Sequence, residues 1–160
     1  MPSLRISRKK ISRLSDSQKK LLGKELLRSI RRRTRRGKDK NGEDFEPYSK
    51  SYANSSLFKK YGKNKDEVNL MLTKDLMYYM KVIEIGENYI ELGWDDKELR
   101  KRATHMIEGE GRYNVPKRDF LGLSDTEINT VLANFEPERE TEQSRLLKYI
   151  SLAIRGDSDG

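Results

Sequence analysis

A chain of 160 residues holds one domain with a real core and not two large ones, and 34% apolar against 38% charged residues makes that core modest. No apolar run nears the roughly 20 residues of a membrane span, no apolar signal region follows the basic N-terminus, and the absence of cysteine excludes disulfides, thiolate zinc sites and thiol nucleophiles. The net charge of +8 conceals a split, with 16 Lys/Arg against 3 Asp/Glu in residues 1 to 40 and 18 against 23 in the remainder, so the basic quarter is expected to seek phosphate or an acidic protein surface.

Residues 1–14 are expected to form a basic N-terminal arm, because "MPSLRISRKKISR" has no helical or alternating pattern long enough to bury, and such an arm orders on a partner. A core domain over residues 15–136 opens on a capping box, Ser15 to Gln18, followed by Leu22, Leu26, Leu27 and Ile30 at intervals of three and four. These signals predict a helix from Asp16 to Arg36, stopped by Gly37, with Lys19, Lys20, Lys24, Arg28, Arg31 and Arg35 on its opposite face. That face is either solvated or a contact for an acidic or phosphate-bearing partner.

The segment "GKDKNGEDFEP" reads as a connector, and Pro47 as the start of a short second helix carrying Tyr48 and Tyr52 and stopped by Gly62. After the polar run 63–69, Thr73 caps a brief helix with Leu76, Met77 and Met80. Period-two alternation around Gly86, Glu87 and Asn88 predicts a β-hairpin from Val82 to Trp94, with the facing of Val82 and Ile83 left open. A helix capped by Asp95 or Asp96 and stopped near Gly109 comes next. "RDFLGLS" is expected to be a short buried strand leading to a second capping box, Ser124 to Glu127, and a helix with Ile128, Val131, Leu132 and Phe135 on its apolar side. Pro137 breaks the pattern. Residues 137–160 form a helical extension with Leu146, Leu147, Ile150 and Ile154 in register, able to pack at home or on a neighbouring subunit.

Chemical motifs are sparse. The oxygen-rich loop fails as a calcium site, because counting from Asp39 puts Asp44 where the calcium-binding loop requires glycine, and Asn-Gly favours a tight turn. The single histidine, His105, has no local serine, histidine or carboxylate partner for catalysis or metal binding, which favours a packed or interfacial role. The carboxylates Asp95/Asp96 and Glu108/Glu110 fall at caps and surface turns, and "GEGRYN" lacks the strand and helix of a phosphate loop. Tyr48, Tyr52 and Tyr61 among basic residues could stack on bases, although four-residue spacing more often marks a core. No catalytic residue, cofactor or metal is expected.

Four segments in fixed order, "RTRRGKDKNGEDFEPYSKSYA", "LTKDLMYYM", "ATHMIEGEG" and "PKRDFLGLSDTEI", resemble the phage virion morphogenesis proteins, a group that includes tail-completion and head-tail joining components. The first pattern is filled by Gly37, Asp39, Gly42, Phe45, Tyr48 and Ser49. The second has Thr73 but Lys74 where glycine is common, and the third is met through Ala103, with Met106 and Gly109 nearby. The fourth, the most specific, is filled by Pro116, Arg118, Phe120, Leu121, Gly122, Leu123 and Ser124, and the resemblance spans residues 20 to 133.

The expected fold is α+β, a small antiparallel sheet packed with several helices, with the N-terminal arm and C-terminal helix extending to neighbours. The resemblance implies a structural, non-enzymatic component of a phage neck or tail end, localised to the virion after assembly in the host cytoplasm. It would be a homo-oligomeric ring with sixfold symmetry favoured, touching other neck, connector or tail proteins and no membrane. On that reading Arg28, Arg31, Arg32, Arg33, Arg35 and Arg36 meet acidic subunit surfaces or the genomic DNA in the channel. The alternative from another class is a small basic nucleic-acid-binding protein.

Overall fold

The computed structural model describes residues 2–60, 68, 75–109, 116–136 and 142–156. Its organising element is helix α1, Asp16–Arg35, which forms where the sequence signals it. Ser15 Oγ accepts from Gln18 N and Gln18 Oε1 accepts from Ser15 N, closing the capping box, and Gly37 at φ 73° lets the chain leave through the left-handed region. Leu22, Leu26, Leu27 and Ile30 are all buried, each worth roughly 1.5–3 kcal/mol against exposure. Gly23 sits mid-helix, where glycine costs about 1 kcal/mol relative to alanine. A Cβ there would lie 2.4 Å from Val82 Cγ2, so its absence is what allows α1 to lie against the sheet.

That sheet has three antiparallel strands in the order β1-β3-β2, with β1 Leu4–Ser7, β2 Lys81–Ile85 and β3 Tyr89–Gly93. The β2–β3 hairpin is the expected one. A register shift between Val82 and Glu84 explains why strict alternation could not assign Val82 and Ile83 to faces.

β1 corrects the expectation of an arm. Leu4 pairs with Leu92 and Ile6 with Ile90, and a 3-10 turn over Lys9–Arg13 buries Ile11 completely, so residues 2–14 belong to the core domain. The β3 edge supplies the hydrogen-bond ladder that four residues cannot supply alone.

Helices α2, Lys50–Ala53, and α3, Ser56–Lys60, replace the single helix expected from Pro47, because Ser49 Oγ accepts from Tyr52 N and caps α2 two residues later. Tyr48, Tyr52 and Phe58 form a ring cluster with centroids 5.4 Å apart. The expected stop at Gly62, the loop 63–69 apart from Val68, and the Thr73 cap lie outside the described residues, as does Tyr61. Helix α4, Asp75–Tyr78, brings Leu76 and Met77 into the core, and Trp94 Nε1 donates to Leu76 O at 2.7 Å.

Helix α5, Lys97–Glu108, is capped by Asp96 and ends at Gly109, φ 73°. Helix α6, Asp125–Leu132, carries the second capping box through Ser124 and Glu127. Between them "RDFLGLS" is not a strand: residues 118–124 pair with no strand, although Phe120 is wholly buried against Trp94 with ring centroids 6.2 Å apart. Pro137 lies outside the described residues. Helix α7, Glu142–Gly156, forms as expected and exposes Leu146, Leu147, Ile150 and Ile154. The domain is α+β, and no described helix is long and apolar enough to cross a membrane.

Candidate functional site

The cations of α1 divide into those that build the fold and those that face outward. Lys19, expected on the outer face, is buried: its Nζ donates to Gly86 O at 2.9 Å and Glu87 O at 2.8 Å, fastening the hairpin turn to the helix. Arg33, expected at a partner, is also internal. Its Nη1 lies 2.9 Å from both carboxylate oxygens of Glu127, and its Nη2 donates to Phe120 O and Gly122 O at 2.8 Å. Arg31 is half-buried and donates to Met77 O, Tyr78 O and Met80 O, fixing the segment that enters β2. Burial lowers its pKa from the ordinary arginine value, and the neighbouring Arg35 charge adds to the effect.

Arg28, Arg32, Arg35 and Arg36 remain at the surface. Arg28 shares Glu25 at 2.5 Å, one turn earlier, while Arg32, Arg35 and Arg36 have no side-chain partner among the described residues. Together with Arg31 they line a shallow concavity of about 470 Å³ with no other residue type in its wall among the described residues. The C-terminal end of a helix is also the end where its dipole favours positive charge, which tolerates such a cluster without relieving its mutual repulsion.

The residues carrying the family resemblance are brought together from distant parts of the chain. Asp39 Oδ1 accepts from Asn41 N and Glu43 N, and Gly42 at φ 81° completes a turn closed by the Lys38–Asp44 pair. Asp39 is therefore spent on its own turn. Lys40 Nζ lies 2.6 Å from Asp119, and a Cβ on Gly122 would come 2.8 Å from the Lys40 side chain, so glycine makes room for that lysine. Arg118 is buried with its guanidinium 5.1 Å from the centre of the Tyr48 ring and Nη2 on Glu46 O at 3.4 Å. Burial lowers its pKa, and Nε has no hydrogen-bond partner among the described residues. Phe45 and Tyr48 are buried in the same core, Leu121 and Pro116 are half-buried, and Ser124 is an exposed helix cap.

The remaining polar groups have structural tasks. Asp96 caps α5 and Asp95 pairs with Lys81, while half-buried His105 contributes its carbonyl to the Gly109 amide. Residues 110–114 of "GEGRYN" lie outside the described residues. Among the described residues no three His, Cys, Asp or Glu side chains are grouped to hold a metal.

Sequence reasoning missed the internal roles of Lys19, Arg31 and Arg33, and for two of them a signal existed. At 100° per residue Lys19 and Arg33 continue the stripe of Leu22, Leu26 and Ile30 at spacings of three and four, so helical phase placed them inward although their charge suggested otherwise. No known protein family, curated protein or solved structure matches the chain.

Proposed function

We propose that the chain is a structural subunit of a tailed-phage virion, acting in tail completion or head-tail joining as part of a homo-oligomeric ring in the neck or tail end, with six copies favoured. The observation that carries this reading is the mutual docking of the first and fourth of the resembling segments. The turn of residues 37–45 meets the segment of residues 116–124 through Lys40 on Asp119, and Arg33, at the end of α1 just before the turn, holds Phe120 and Gly122. Arg118 joins the second segment to Tyr48 and Glu46 just after the turn. The shared residues build a scaffold, and their polar groups are turned toward each other. Two surfaces are left for assembly: the outward arginines of α1, and the apolar row of Leu146, Leu147, Ile150 and Ile154 on α7. Two different surfaces on one chain suit the heterologous contacts from which rings close.

Removing the reading frame from the genome that carries it and imaging the resulting particles tests this function. Filled heads and separate tails are the expected products. Normally joined, infectious particles would reject it.

A further inference from the structure

We propose that the α1 concavity binds the phosphodiester backbone of double-stranded DNA without reading its sequence, an inference that rests on the channel-ring reading above and names the partner of this face. Among the described residues its wall is Arg28, Arg31, Arg32, Arg35 and Arg36. Arginine is common at protein–protein interfaces too, but there it accompanies apolar and aromatic anchors at a core otherwise depleted of charge, and among the described residues this wall supplies no such anchor. A polyanion needs none, since release of condensed counterions drives its binding.

The dimensions agree. From Arg28 to Arg36 the helix advances about 12 Å, over which duplex DNA presents roughly seven phosphates on its two strands. Four exposed guanidiniums, on Arg28, Arg32, Arg35 and Arg36, cover that length. Each has the planar fork that matches a phosphate with paired hydrogen bonds. Arg31 forms the floor: its donors are held by the carbonyls of Met77, Tyr78 and Met80, so its charge is fixed in place, while Arg32, Arg35 and Arg36 have no side-chain partner among the described residues. Glu25, one turn before this stretch, pairs with Arg28 and offsets its charge, so Arg32, Arg35 and Arg36 carry most of the field and Arg28 must exchange Glu25 for a phosphate.

The test is fluorescence anisotropy of a short random-sequence duplex titrated with the full-length chain at several salt concentrations between roughly 50 and 200 mM. A variant with Arg28, Arg32, Arg35 and Arg36 all changed to glutamine is compared with a charge-matched control carrying Lys9→Gln, Arg13→Gln, Lys101→Gln and Arg102→Gln. Because all eight positions are exposed, both variants should fold, which circular dichroism verifies. The slope of log affinity against log salt should be about −4 or steeper for the unaltered chain, and shallower by about one unit for each groove arginine removed. The control should keep most of the original slope.

Three results would overturn the proposal: no duplex binding at the lowest salt, equal loss in both variants, or tighter binding of poly-glutamate than of duplex, which would assign the groove to an acidic protein. Oligomer mass measured on the same samples keeps the two readings apart. A monomer that binds duplex through these arginines refutes the ring and not the groove, and a ring indifferent to duplex refutes the groove and not the ring.

Discussion

Changing Arg33 to methionine removes the ion pair to Glu127 and the two bonds to Phe120 O and Gly122 O in one step. Hydrogen bonds to a charged group contribute about 1.5–3 kcal/mol each, and breaking a buried pair costs about 3–5 kcal/mol. The Arg33 side chain is 10% exposed but Glu127 is 27% exposed, so the orphaned carboxylate regains water and the lower end applies. Methionine also refills part of the stem volume. A loss of about 3 kcal/mol follows, which for a domain of this size lowers Tm by about 6–12 °C.

Its neighbour Arg32 is exposed without a side-chain partner among the described residues, so Arg32→Met should stay within about 0.5 kcal/mol of the parent. Urea unfolding followed by circular dichroism, with the transition slope checked for constancy, measures both. Equal effects, or a loss below about 1 kcal/mol for Arg33→Met, would refute the division of these adjacent arginines into internal and external.

Phe120→Ala empties a fully buried site against Trp94 and should cost about 3–5 kcal/mol, read as a lower urea midpoint or as insoluble protein. Gly37→Ala places a side chain at φ 73° with Val68 O only 2.8 Å from its Cβ, so it should cost more than Gly42→Ala, where φ is 81° but the space is open; equal midpoints would contradict this. The Glu91 carboxylate is held below its ordinary pKa, first by the Ser3 hydroxyl and then by Arg5. A depressed folded value means that the stabilisation is complete above the unfolded carboxylate pKa and is lost as pH falls through the folded one. The deficit of Glu91→Gln relative to the parent should therefore be largest near neutral pH and shrink below about pH 4, and a deficit that does not change with pH would remove the assigned role.

What was legible in the sequence was local. Ser15, Gln18 and Gly37 bound α1, Ser124 and Glu127 start α6, and the turn of residues 86–88 with its flanking alternation gives the hairpin, because each signal is satisfied within a few residues. The misses depend on distant partners. "LRIS" becomes a strand only because β3 offers a free edge, and "RDFLGLS" stays out of the sheet while Arg33 occupies the Phe120 and Gly122 carbonyls that a neighbouring strand would otherwise have met. The arginine face was visible as composition, but its membership was not: charge marked six arginines, and helical phase with tertiary carbonyl acceptors withdrew Arg33 from the surface and half-withdrew Arg31.

Negative-stain imaging of the purified chain tests the central claim most directly. The account predicts closed rings with a central opening and a mass about six times that of one chain. A uniform population of monomers, with no rings at any concentration at which the protein stays in solution, would contradict it.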